Sequence, residues 1–197
     1  QYYNALNNLF GGDYSQLKKA REKFPTWEQA WRNQKTALNL LQEWEKLEKL
    51  RIKLILKEDS AYPFLLKEIS SPPFGIYVSG DLSYKEPAVA IVGTRNATPQ
   101  GKELARRFAS ALSQTGLTVI SGLALGIDEA AQRGTVEMNG KTIAVLGTPL
   151  NHIYPRQNEK LAKTIIEKGG AIISEFPFNQ EYHPQNCLIR NRIISGR

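Results

Sequence analysis

The spacing of apolar residues changes character along this chain. Through residues 1–50 they recur at intervals of three and four, the helical period. Leu6, Leu9 and Phe10 mark one short helix. Leu17 and Ala20 mark a second, capped by Asp13 or Ser15, and Trp27, Ala30 and Trp31 a third, capped by Thr26. Residues 36–50 place Leu38, Leu41, Trp44, Leu47 and Leu50 on one face of a fourth. Residues 1–50 therefore read as a small helical module, and residues 51–197 as a second domain.

Between residues 52 and 87 the pattern breaks up. IKLIL reads as a strand, Tyr62-Pro63 interrupts it, a short helix holds Leu65 and Leu66, and GIYVSG reads as another strand. A polar stretch, residues 81–87, leads onward. From residue 88 strands and helices alternate. VAIV at 89–92, LTVIS, TIAVLG and AIISE are nearly pure apolar runs. Thr98 caps and Pro99 starts a helix with Leu104, Phe108 and Leu112 facing inward, and Gly116 closes it. Asp128 reads as the cap of the next helix. Leu161, Ala162, Ile165 and Ile166 form the inner face of a third, stopped by Gly169-Gly170. Strands apolar on both sides, alternating with helices, predict an α/β fold: a doubly wound, mostly parallel sheet covered on both faces.

Composition narrows the class. Of 197 residues, 26 are Lys or Arg and 19 Asp or Glu, a net charge of +7, which favours a polyanionic partner. Cys187 is the sole cysteine, so no internal disulfide forms and a reducing compartment is expected. No apolar run is long enough to span a bilayer, and the first residues lack a secretory layout. A soluble cytoplasmic protein with no membrane contact is the expectation.

Two glycine turns carry the candidate chemistry. GTR, residues 93–95, follows the first strand of the alternating series, and SGLALGID follows the second. Ligands of open α/β sheets sit beyond the carboxyl ends of the strands, where glycine turns and helix starts present N–H groups to an anion. Arg95 lies there, and its planar fork suits a phosphate. Arg156, in the PLNHIYPRQN loop with Tyr154 and Asn158, is expected on the same rim. RNRIISG adds Arg190, Asn191 and Arg192, near the start or first turns of a helix. The dinucleotide fingerprint G-x-G-x-x-G is absent, as is an acidic residue at the end of the second strand, where Ser121 stands. No cofactor is therefore expected. His152, His183 and Cys187 lack zinc spacing, and a loop histidine such as His152 is more often structural than catalytic. No nucleophile elbow, Walker loop or triad is visible, so a binding site rather than an enzyme is expected. Tyr154 and Phe178 are candidates for stacking on bases.

The ordered set GTR, SGLALGID, GTPLNHIYPRQN, AIISEFP and RNRIISG resembles the DNA-processing protein A (DprA or Smf) family, from about Ile55 to Gly196. The resemblance implies an extended Rossmann fold preceded by a sterile-alpha-motif-like module. It further implies single-stranded DNA binding without strong sequence preference, and loading of the RecA recombinase during natural transformation. The implied DNA-binding residues are Gly93, Thr94, Arg95, Ser121, Gly122, Gly126, Arg156, Arg190, Asn191 and Arg192; Ala124, Ile127 and Asp128 fall in the same serine–glycine motif. Family members continue past RIISG with strands that carry a dimer surface, so the resemblance also implies a homodimer made through residues beyond Arg197.

This sequence departs from the family pattern at Gln132, Pro149, Asn151 and the Cys187-Leu188 pair. The competing class is a nucleotide hydrolase of the phosphoribohydrolase type on a related scaffold. Its proline–glycine–glycine loop is missing, and Glu175 is the best carboxylate left for such a role. A third reading gives the helical module a protein partner; the alternative makes it packing for the sheet.

Overall fold

The computed structural model describes residues 1–82 and 87–196; most of the polar linker expected at 81–87 falls outside them. Four helices come first: α1 (Tyr2–Leu9), α2 (Tyr14–Lys23), α3 (Trp27–Arg32) and α4 (Leu40–Lys49). Asp13 caps α2 through the N–H groups of Ser15 and Gln16, and Thr26 caps α3 through Gln29. Then follow β1 (Lys53–Leu56), α5 (Phe64–Lys67), β2 (Gly75–Gly80) and β3 (Ala88–Ala90). The alternating part continues with α6 (Pro99–Gln114), β4 (Thr118–Ser121), α7 (Ile127–Glu137), β5 (Thr142–Val145), α8 (Glu159–Glu167), β6 (Ala171–Ser174) and α9 (Pro184–Ser195).

The strands form one sheet in the order β1-β2-β6-β5-β4-β3. β3, β4, β5 and β6 run parallel, while β2 pairs antiparallel with β6 and β1 with β2. The mostly parallel Rossmann-like sheet expected from the alternation is present. Register sorts its side chains. Tyr77, Ala144 and Ile172 face α8 and α4, with Val119 on the same side under α6 and α7. Ile76, Val78, Val145 and Ile173 face α5 and α9.

The helical module is joined to the sheet by apolar and polar contacts. Leu54, Leu56 and Phe74 enter its core beside Tyr3, Leu6 and Trp27. The Tyr77 hydroxyl, buried in the sheet, donates to Asn4 Oδ1 at 2.9 Å and accepts from Asn7 Nδ2 at 3.1 Å. Asn7 also donates to the Glu175 carbonyl at 3.2 Å. Buried amides are tolerated when paired in this way.

Several expectations need correction. Leu104 and Phe108 are 55% and 58% exposed, and Leu112 is half-buried; Ala105 and Ala109 face inward instead. The reason is close packing of α6 on α7, where only small residues fit: a Cβ at Gly134 would meet the Arg106 carbonyl. Leu41 in α4 and Leu50 just after it are exposed, while Leu47 and Glu43 are buried. The strand expected at 89–92 is Ala88–Ala90; Ala90 and, beyond the strand, Val92 are exposed, so cover is incomplete there. No helix among the described residues is long and apolar enough to cross a membrane.

Candidate nucleic-acid interface

The two glycine turns meet at one carboxylate. Asp128, 4% exposed, accepts from Gly93 N–H at 3.1 Å and from Gly122 N–H at 3.0 Å. It is thus not the cap of α7, as the sequence suggested. Gly126 holds the cap position with φ of +91°, and Asp128 lies in the first turn. Burial raises the Asp128 pKa, opposed by the Gly93 and Gly122 N–H groups and by the Arg190 charge. Ser121 is fully buried, and its hydroxyl donates to the Ile91 carbonyl at 2.6 Å. It braces the turns from beneath. Thr94, exposed, accepts from Asn96 N–H at 3.2 Å, and its carbonyl accepts from Ile127 N–H at 3.3 Å.

Beneath the second turn lies Arg190, 4% exposed. Its guanidinium donates to the carbonyls of Gly122, at 2.7 Å, and Val145. A Cβ at Gly122 would run into that guanidinium. Burial lowers the Arg190 pKa, with the Asp128 charge working the other way. Arg190 and Arg192 sit in the middle and last turns of α9, because the helix starts at Pro184, earlier than the sequence implied.

Arg190 and Arg95 line one cavity of about 50 Å³, together with Gly122, Thr148, Tyr154 and Cys187. Arg95 is exposed and faces the Cys187 sulfur and the Tyr182 hydroxyl. Burial works to lower its pKa, but these two neighbours leave it raised. Tyr182 packs on Tyr154 with ring centroids 4.4 Å apart.

The other arginines lie elsewhere. Arg156, in a single 3₁₀ turn, is exposed and lines a separate cleft with His152, Glu159 and Lys163. Arg192 forms a two-point ion pair with Glu175, at 3.0 and 2.5 Å, and its guanidinium lies over the Tyr14 ring. Asn191 is exposed on α9. The structure therefore brings Gly93, Gly122, Gly126, Arg95 and Arg190 together, and sets Arg156 and Arg192 apart.

Sequence reasoning missed Gln132 and Asn158 as supports. The Leu123 N–H donates to Gln132 Oε1 at 3.1 Å, and Asn158 Nδ2 donates to the Leu123 carbonyl at 2.9 Å. Leu123 has φ of +56° and is fully buried, so the turn is held in a left-handed conformation from both ends. Tyr182 was missed too; it lies in an irregular loop with no periodic pattern to flag it.

Chemically, the arrangement offers two guanidinium groups and aromatic walls. Its one carboxylate, Asp128, is occupied by the turns. Glu175, the candidate acid of the hydrolase reading, is 8% exposed and tied to Arg192. No group of three metal-ligating side chains occurs among the described residues.

A mostly parallel sheet with paired glycine turns above a buried arginine defines a Rossmann-type domain. Residues 53–197 match the family of DNA recombination-mediator protein A, and the chain belongs to it. It is 36% identical over 221 residues to protein Smf of Synechocystis, covering 99% of this chain and 55% of that protein. It is 40% identical over 144 residues to protein Smf of Escherichia coli, covering 73% of this chain and 38% of that one. The chain thus spans about half the length of the curated relatives it matches. Among solved structures it resembles DNA processing protein A (DprA) of Streptococcus pneumoniae, with a TM-score of 0.70 and 31% identity over 86% of this chain and 58% of that one. It also resembles DNA processing protein A of Helicobacter pylori, described for its single-stranded DNA binding mode, with a TM-score of 0.62 and 30% identity over 74% of this chain and 65% of that one.

Proposed function

We propose that this chain binds single-stranded DNA through its phosphate backbone, without strong sequence preference, at the cavity between Arg95 and Arg190. The observation that carries the reading is the convergence of Arg95, Arg190 and both glycine turns beyond the carboxyl ends of β3, β4 and β5. Arg95 supplies the accessible fork. Arg190 supplies a fixed charge from below and keeps the Gly122 carbonyl turned inward. Arg156 and Lys163 extend the cationic track to the neighbouring cleft. A path of this kind suits a flexible strand, whose successive phosphates can reach both places, better than a small cofactor. Family membership and the single-stranded DNA mode described for the Helicobacter pylori protein support the same ligand.

In the whole protein, this binding serves recombination: the DNA-bound protein passes the strand to a RecA recombinase in the cytoplasm during DNA uptake, and acts as a dimer. No catalytic step is assigned to the site.

The test is a titration of oligothymidylate and of duplex of equal length, at low and moderate salt. Single strands bind more tightly, and affinity falls as salt rises because bound cations are displaced. Arg95→Ala weakens single-strand binding by about tenfold while leaving the unfolding transition in place. Equal affinity for parent and variant would exclude Arg95 from the interface.

A further inference from the structure

Cys187 occupies the first turn of the 12-residue helix α9, half-buried, in the wall of the Arg95–Arg190 cavity. Arg95 and Arg190 line the same cavity, so two guanidinium-bearing side chains share its wall with the thiol. Gly147 lets this turn approach closely, since a Cβ there would lie 3.0 Å from the Cys187 nitrogen. A second feature of the cavity is independent of the thiol. Thr148, 1% exposed, lines the same space, and its hydroxyl has no hydrogen-bond partner among the described residues. A buried polar group left unpaired costs about 1–3 kcal/mol, so a guest that reached the Thr148 hydroxyl would relieve that cost.

Cysteines that react selectively share a helix start, neighbouring cations and partial exposure. All three occur here. The cations also act on the reagent. A disulfide bearing carboxylates is drawn to two guanidinium groups, and the thiolate it releases carries negative charge that they stabilise.

We propose that Cys187 is a thiolation site for anionic low-molecular-weight disulfides, and that the resulting adduct competes with single-stranded DNA for this cavity. The Cys187 thiolate attacks one sulfur of the disulfide. A new Sγ–S bond forms, the reagent's S–S bond breaks, and the departing thiolate takes up a proton from water. Cys187 is oxidised to a mixed disulfide as one half of the reagent is reduced to a thiol. The adduct's carboxylate then lies against Arg95, where a phosphate would otherwise bind. The competition rests on the DNA-binding reading above; the thiol chemistry does not.

Because Cys187 is the sole cysteine, every adduct maps to it. The chain is reacted with bis(nitrobenzoate) disulfide, a dianionic reagent, and with neutral dipyridyl disulfide, each rate being normalised to mercaptoethanol. The normalised rate for the anionic reagent is expected to exceed that for the neutral one by about tenfold at low salt, and the preference to collapse in Arg95→Gln. A ratio no different from that of mercaptoethanol overturns the site. Saturating oligothymidylate is expected to slow the reaction, and the purified adduct to bind the oligonucleotide at least about tenfold more weakly. Cys187→Ser takes up no reagent, so its DNA binding does not respond to it. An adduct that binds DNA as tightly as the free chain overturns the competition. If the unmodified chain fails to bind oligothymidylate, the DNA reading falls, while the rate ratio still decides the thiol site.

Discussion

The Arg192 guanidinium closes a two-point ion pair with the Glu175 carboxylate, half-buried on one side and 9% exposed on the other. An arginine engaged this way works for the fold before it works for a ligand. Arg192→Met should lower the unfolding free energy by about 3 kcal/mol, because it strands a buried carboxylate. Adding Glu175→Gln to that variant should restore most of the loss. Urea denaturation of the two variants checks both statements.

The same carboxylate sets a pH dependence. Burial raises the Glu175 pKa, with Arg192 opposing, so the native state holds this proton more tightly than the unfolded chain. Stability from this group therefore falls as pH rises from the ordinary carboxylate value, about 4, through the raised native one. The stability difference, parent minus Glu175→Gln, should shrink with rising pH across that window and level off above it. Denaturation at a series of pH values reads this directly.

Asp128 joins the two glycine turns. Asp128→Ala leaves the Gly93 and Gly122 N–H groups without their acceptor and removes the countercharge of Arg190. The expected loss is about 2–4 kcal/mol. Asp128→Asn keeps one acceptor oxygen and should fall between parent and alanine, in stability and in oligothymidylate affinity alike.

Gly126→Ala tests the turn itself. Its φ of +91° disfavours any side chain, and a Cβ would meet the Thr94 carbonyl. The variant should lose more than about 1 kcal/mol and bind DNA less well, since the clash displaces the GTR turn and Arg95 with it.

Arg156 is exposed and has no ion-pair partner among the described residues. If it meets a phosphate, Arg156→Ala should lower the slope of log affinity against log salt by about 0.7. An unchanged slope would confine the interface to the Arg95 cavity.

Local physics made much of this architecture readable. Thr98 caps α6 and Pro99 starts it, and Asp13 and Thr26 cap where capping chemistry placed them. Apolar strand runs announced the parallel sheet. What escaped depends on partners distant in the chain. Asp128 looked like a cap because it stands near a helix start, but it reaches Gly93, 35 positions away. Leu104 and Phe108 have helical spacing, which defines a face without saying what covers it; close contact with α7 turned Ala105 and Ala109 inward. The arginines were recognisable as residues beyond strand ends. Their directions were not, because Glu175 draws Arg192 one way and the carbonyls of Gly122 and Val145 draw Arg190 another.

Leu123 stands in a left-handed conformation that a bulky residue adopts at a cost of about 1–2 kcal/mol, pinned by Gln132 on one side and Asn158 on the other. A loop secured this way has spent its ordering entropy during folding. On the proposed function, encounter with a strand then asks little rearrangement of the protein, so most of the ordering penalty on association falls on the nucleic acid.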